Sequence, residues 1–494
     1  MTDAHSGAPP PPAPRAEPPP GLLQGGGQLP RTLGFWDVLL FFVTAGANLQ
    51  WVATAAAAGP SSITVWLMAC LSMYLPLGLC VMEMSTRYPD EGGLYVWSKH
   101  AFGDFAAFMT GWTYWMSNLP YFPGVLYFAA GNALFIAGDR FRHLSDSPLY
   151  FIAASLAALA LGTWLNLVGL NVGKWIANIG GIARWLAILA LIAMGAVAWG
   201  RFGSATEFSL ASLTPGLGFK DVLFWSTIAF ALTGLEAASF MGGEIKNPRR
   251  TLTRAIYVSA PIVLGIYVFG TLAVLVALPA GELGRLQGIM QGMAAVGERL
   301  GVAAAAPAVA VLITLTALGS VGAWLGASAR LPFVAGIDAF LPPAFGRIHP
   351  RWRTPHVSIL VQSIIAAACV LLGQAGTTVR GAYDFLVSMS VITYLLPFLF
   401  LFAAMIRLQS VPAGPEVIRV PGGRPMACLL GTVGFLTTSV SIVLAVFPPA
   451  DVPDPGRAIA KVIGSTLLIV ALGVAIYLFG RKRHLAVVPH GRVR

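Results

Sequence analysis

Two ionisable residues fall near the centres of long apolar runs: Arg184 in "GGIARWLAILAL" and Glu236 in "LTGLEAASF". A charge at the middle of a bilayer costs at least about 3 kcal/mol on insertion scales, so each is a candidate for a pathway or coupling role. The alternative is a structural Arg184–Glu236 pair inside a helix bundle. Asp37 and Glu83 lie near the ends of apolar runs, within expected reach of water, and no role is assigned to them. Six of the seven histidines lie outside these runs, and His356 stands at the very start of one. Cys70, Cys80, Cys369 and Cys428 show no CxxC or metal-ligand spacing and read as small buried hydrophobes. No cluster with catalytic or metal-ligating chemistry is visible at membrane depth. The expectation is therefore no metal, no cofactor and no enzymatic activity.

Backbone groups are the second source of chemistry. The first apolar run is interrupted by Thr44-Ala45-Gly46-Ala47-Asn48, the sixth by Ala231-Leu232-Thr233-Gly234. Glycine lowers the cost of unwinding, and Thr or Asn can satisfy freed backbone groups. An unwound break leaves amides that suit a carboxylate and carbonyls that suit an ammonium. The other reading is close helix packing through small residues. The two segments lie five runs apart, the offset expected of two five-helix repeats of opposite orientation with paired interrupted helices.

The elements that must hold these residues follow from composition. Of 494 residues, 56% are hydrophobic and 10% charged, where a soluble domain carries about 25% charged. A bilayer needs about 20 apolar residues per spanning helix. Twelve such runs are readable, near 35–57, 62–84, 105–137, 149–168, 175–199, 221–243, 255–278, 303–328, 355–373, 383–406, 426–447 and 460–479. Helix is the one open form, because an exposed strand edge would leave backbone groups unsatisfied in lipid. The third run contains Pro120 and Pro123 and is expected to tilt or kink. The loop 279–302 is expected to carry a short external helix, and runs eleven and twelve to be peripheral. Residues 1–30, rich in Pro and Gly, form an expected disordered tail. Residues 31–480 form the membrane domain and 481–494 a short basic tail.

The net charge of +11 would raise nucleic acid as a partner in a soluble protein. Here the basic residues sit in short loops, which excludes it. The head, the tail and the loops after even-numbered runs hold 21 of the 31 Lys and Arg. Loops after odd-numbered runs hold 9, and Arg184 lies within a run. Both termini are therefore expected in the cytosol of a cell (plasma or inner) membrane protein.

These residues resemble the amino acid–polyamine–organocation superfamily of permeases, which have a LeuT-like fold. The resemblance spans about residues 32–480. It is carried by "FALTGLEAASFMGGEIKNPRRT" at 230–251, "RYPDEGGLYVWSKHAFG" at 87–103, "GSVGAW" at 319–324 and "DAFLPPAFGRIHPRWRTP" at 338–355. It implies an all-α membrane protein of about 12 helices: a 5+5 inverted repeat with helices one and six broken, plus two peripheral helices. It further implies that Gly46 and Ala47 meet the substrate carboxylate, with Ala45 and Asn48 also in the substrate site, although Ala-Gly-Ala-Asn departs from the Gly-Ser-Gly of many relatives. Ala231, Leu232, Thr233 and Gly234 would meet the amine. Phe230 would close over the substrate, Trp324 would pack on its aliphatic part, and Asn118 would bind its side chain. Arg184 stands where several members carry a lysine on the fifth helix, in place of a sodium ion.

The expected function is secondary transport of a small amino acid or related amine, sodium-independent, by proton symport or exchange. Glu236 is the better proton candidate, because arginine keeps its proton at any ordinary pH. No P-loop GxxxxGK[ST] is present, which excludes that route to ATP-driven transport. The rivals are a sensor of the same fold that binds without net flux, a membrane enzyme, and a polyamine-specific carrier. A site whose sole acid is Glu236 argues against a polycation.

Overall fold

The computed structural model describes residues 34–487, except 89–91, 169, 238, 240–244, 303, 330, 335–339, 353, 450, 451 and 453. The expected disordered head at 1–30 lies outside the described residues. The first run is split as expected: α1 (Phe35–Gly46) and α2 (Leu49–Ala57) flank Ala47 and Asn48. The second is α3 (Ser61–Ala69), a π-turn at Cys70–Tyr74, and α4 (Leu75–Arg87). A short α5 (Leu94–Phe102) leads to the third run, which is α6 (Asp104–Met116) and α7 (Asn118–Ala133).

The interruption at Ser117 has a direct cause. Pro120 has no N–H to give to Met116, four residues earlier, so the ladder is freed one residue before Asn118. Next come α8 (Pro148–Val168), α9 (Leu170–Phe202), a single turn α10 (Leu210–Leu213) and α11 (Phe219–Ala231). The second half holds α12 (Pro248–Ala277), α13 (Gly288–Arg299), α14 (Ala305–Ser328), the single turn α15 (Leu331–Val334), α16 (His356–Gln374), α17 (Val379–Leu408), α18 (Gly423–Leu444) and α19 (Pro455–Val487). α13 is the short helix expected in the loop 279–302. α19 runs on through Val487, so the first part of the expected basic tail is helical.

Ten helices among the described residues are long and apolar enough to cross a membrane. The two expected spans missing from that set are the third and sixth, whose helices are interrupted at Ser117 and after Ala231. Burial ranks the spans. In Phe35–Ala57, 72% of the apolar window is enclosed, against 17% in Pro455–Lys482 and 33% in Gly423–Ala445. The first span is thus central and the last two peripheral, as expected. Pro148–Val168, at 22%, is equally peripheral.

Small residues let the helices cross closely, the usual device where lipid removes the hydrophobic drive between helices. A Cβ on Gly180 of α9 would lie 2.7 Å from Gly319 Cα of α14, and one on Gly195 would lie 2.6 Å from Ala273 Cα of α12. α9 is thereby pressed between α14 and α12, which sets Arg184 against α1 and α14.

Candidate substrate site

The two breaks meet at the centre of the bundle. Gly234 has φ +113, and a Cβ there would fall 3.3 Å from the Ala45 carbonyl. The positive φ favours glycine, and an added Cβ would also press on Ala45. α11 ends at Ala231. Leu232 and Thr233 turn out of the helix, and a 3₁₀ turn resumes at 235–237. Tyr267 of α12 ties the breaks together. Its hydroxyl accepts from Asn48 N–H at 3.1 Å and lies 2.5 Å from Gly46 O and 3.1 Å from Ala231 O, its single proton directed between them. The ring stacks on Trp66, with centroids 4.1 Å apart and planes 8° apart.

A cavity of about 40 Å³ lies beside the breaks. Ala45, Asn48, Asn118, Phe230, Ala231, Thr233, Gly234 and Trp324 line it, together with Trp51, Tyr121 and Tyr394. Gly46, Ala47 and Leu232 sit behind it: Gly46 O faces Tyr267, while Ala47 and Leu232 are buried in the core. The Asn118 amide nitrogen donates to Tyr114 O and Trp115 O of its own chain segment, at 3.0 and 3.2 Å. Asn48 Nδ2 donates to Tyr121 Oη at 3.3 Å. Phe230 makes edge contacts with Trp51 on one side and Tyr394 on the other, both at 5.3 Å.

Arg184 and Glu236 do not pair, so the structural alternative weighed from the sequence is not what the fold builds. Arg184 is buried. One terminal nitrogen donates to Thr44 O, a carbonyl released where α1 ends, and the other to Ser320 Oγ of α14 at 2.5 Å. Glu236 is fully buried and accepts three bonds: Gly234 N–H at 2.9 Å, Tyr114 Oη at 3.1 Å and Tyr394 Oη at 2.5 Å. Thus the acid is held by hydroxyls and an amide at one edge of the cavity, while the cation is held at the end of α1.

One expectation changes outside the cavity. Glu83 does not reach water; it is 1% exposed. It accepts from Gln409 Nε2 at 2.6 Å and Val420 N–H at 2.9 Å and pairs with Arg87 at 3.4 Å. Arg87 in turn donates to Leu408 O and Val411 O at 2.7 and 2.9 Å. The end of α4 is therefore stapled to the α17–α18 connection. Asp37 is exposed, as expected, and accepts from Gly34 N–H at 2.8 Å, closing the start of α1.

A larger cavity of about 540 Å³ opens on the side of the bundle away from the start of α1. Thr54, one turn beyond Trp51, lines it, as do Arg285 and Asp384, which pair at 3.3 Å. Trp51 and Phe230 thus stand between it and the central cavity. Cys70, Cys80 and Cys369 are buried, and no group of His, Cys, Asp and Glu suited to a metal occurs among the described residues.

The chain belongs to the amino acid permease family, whose model matches residues 33–473. It is 26% identical to an uncharacterized transporter of Legionella pneumophila, over 92% of this chain and 97% of that one. It is 23% identical to a probable agmatine/putrescine antiporter of Lactococcus lactis, over 80% and 84% of the two chains. Among solved structures it is similar to MhsT in complex with L-phenylalanine, with TM-score 0.60 at 14% identity, covering 85% of this chain and 100% of that one. At that identity the likeness concerns the fold: a LeuT-like bundle with broken first and sixth helices. The protein is an integral membrane protein and a transporter.

Tyr121, Tyr267, Tyr394, Trp51 and Tyr114 were not readable as site residues. Each is one aromatic among many in an apolar helix, and only the fold brings them to the breaks.

Proposed function

We propose that the protein carries a small amino acid or related amine by alternating access, independently of sodium, either as an exchanger or as a proton symporter. The observation that carries this reading is the seat of Arg184, whose guanidinium bonds to the carbonyl freed at the end of α1 and to Ser320 of α14. A permanent cation at that point is well placed to hold the broken helix without a metal ion. The substrate would occupy the cavity between the breaks. Its carboxylate would meet the Ala45–Asn48 segment, its amine the carbonyls of Ala231–Thr233, and its aliphatic part Phe230, Trp324 and Asn118. The small central cavity has room for no more than a few water molecules. Occupation therefore requires Phe230 and Trp51 to part and the two repeats to rock. Glu236 is the proton carrier if one is used.

Both termini would lie in the cytosol of a plasma or inner membrane, on the balance of Lys and Arg between alternate loops. The large cavity is then the outer vestibule. The test is uptake into proteoliposomes of radiolabelled neutral amino acids, glutamate, γ-aminobutyrate, agmatine and putrescine, with sodium replaced by choline throughout. Saturable uptake, accelerated by unlabelled substrate inside for an exchanger, is expected for at least one compound. Binding without flux would point to a sensor.

A further inference from the structure

A third cavity, about 340 Å³, lies between the end of α16, the start of α17, the end of α18 and the start of α19, on the side away from the start of α1. It shares Asp384 and Ser388 with the large vestibule. Four charged side chains line it: Asp384, Asp454, Arg457 and Lys461. Three are balanced. Asp384 pairs with Arg285 at 3.3 Å, and Arg457 with Asp454 at 3.4 Å. Lys461 has no carboxylate within 4 Å among the described residues. Two of its three protons go to Gly373 O and Ala375 O, both at 3.0 Å, at the end of α16. Its Nζ lies 4.9 Å from the centre of the Phe385 ring. Arg457, one turn before it on α19, is a second cation on the same face, and such i, i+4 like charges repel.

The rest of the lining is largely apolar, with Phe385 and Val462 among it. α19 is the least enclosed span, and Ile463 and Leu467, just beyond Lys461, are exposed. In a bilayer these residues meet acyl chains. Among the described residues, the cavity therefore offers one positive charge without a carboxylate and a third ammonium proton at interface depth, above an apolar surface.

We infer that this cavity binds the phosphate headgroup of a glycerophospholipid, with the phosphodiester on Lys461 and its acyl chains along α19. A phosphodiester carries one negative charge, which matches the one cation without a carboxylate among the described residues. A Lys or Arg side chain near the membrane surface attracts an anionic lipid headgroup. The shared Asp384 places the headgroup beside the Arg285–Asp384 pair of the vestibule.

Native mass spectrometry of the full chain in detergent tests this without reference to transport. The probes are palmitoyl-oleoyl phosphatidylglycerol, the matching diacylglycerol, and inorganic phosphate as competitor. The wild type should take up one phosphatidylglycerol saturably and no diacylglycerol. Lys461→Gln keeps donors for the α16 carbonyls but removes the charge, and should weaken that binding about fivefold, the effect of one interfacial cation. Lys461→Arg keeps the charge and should bind as the wild type does, which separates charge loss from misfolding. Equal phosphatidylglycerol binding by wild type and Lys461→Gln, or diacylglycerol binding as tight as phosphatidylglycerol, overturns the site. Displacement by inorganic phosphate at concentrations equal to those of the lipid overturns the lipid as its source.

Discussion

Gly234, in the break after α11, packs closely on Ala45, one residue before the end of α1, across the centre of the molecule. An added methyl would sit 3.3 Å from Ala45 backbone and side chain atoms, on a residue whose φ is +113. Gly234→Ala should therefore strain the sixth-helix break by about 1–3 kcal/mol. Because the strain falls at the contact between the two halves, the variant should insert and remain monodisperse yet transport poorly. Size-exclusion profiles and uptake by the same preparation check both halves of this statement. Normal uptake would mean the breaks part without regard to this contact.

Much of this architecture was legible because local chemistry and fold agree there. Gly46 and Gly234 sit where helices stop, Pro120 sits where the third span is interrupted, and long apolar runs became helices. What was hidden depended on tertiary neighbours. Glu83 looked like an end-of-span acid, yet Gln409 and Val420, more than 300 residues away in sequence, enclose it. Tyr267 carried no signal, because a tyrosine within α12 becomes a bridge only when two unwound segments fold against it. The Arg184–Glu236 question was likewise undecidable by spacing. The close α9–α14 crossing at Gly180 and Gly319 settled it by turning Arg184 toward Ser320.

The aromatics around the cavity should act on substrate affinity. Phe230 stands between Trp51 and Tyr394, and Trp324 lines the same cavity from α14. Phe230→Ala and Trp324→Ala should each raise KM roughly three- to tenfold while the protein stays inserted, the range of one aromatic contact. Initial uptake rates over a substrate series measure this. If both variants match wild type, the substrate binds elsewhere.

The staple at the end of α4 makes a stability prediction. Glu83→Gln leaves the Arg87 guanidinium without its carboxylate partner in a nearly buried setting, a loss of about 3 kcal/mol. The melting temperature in detergent should fall clearly. The double variant Glu83→Gln with Arg87→Met removes both charges and should recover part of that loss, which a double-mutant cycle reads directly. An additive double variant would mean the two charges do not interact.

Topology follows from the loop charges. A cysteine placed at Ser145, in the segment before α8, should react with an impermeant maleimide added to intact cells, and a tag on either terminus should be protected. Reaction at both termini from outside would reverse the assignment and turn the large cavity into an inner vestibule.

Arg184 gives the sharpest test of how the transporter is coupled. Its guanidinium donates to Thr44 O and Ser320 Oγ, bridging the broken first helix and α14. A sodium ion some 4 Å from it would be repelled by about 4 kcal/mol at an effective dielectric near 20. The wild type should therefore transport equally well in sodium and in choline. Arg184→Ala and Arg184→Gln should insert but lose most uptake, because nothing then carries a charge to the freed Thr44 carbonyl. Arg184→Lys should keep part of it: the charge survives, but a single ammonium replaces the planar fork that reaches both partners at once. Measured side by side in proteoliposomes, these four proteins distinguish a coupling cation from a packing residue. A steep sodium requirement in the wild type, or full uptake by Arg184→Gln, would show that the guanidinium does not stand in for a metal ion at the end of α1.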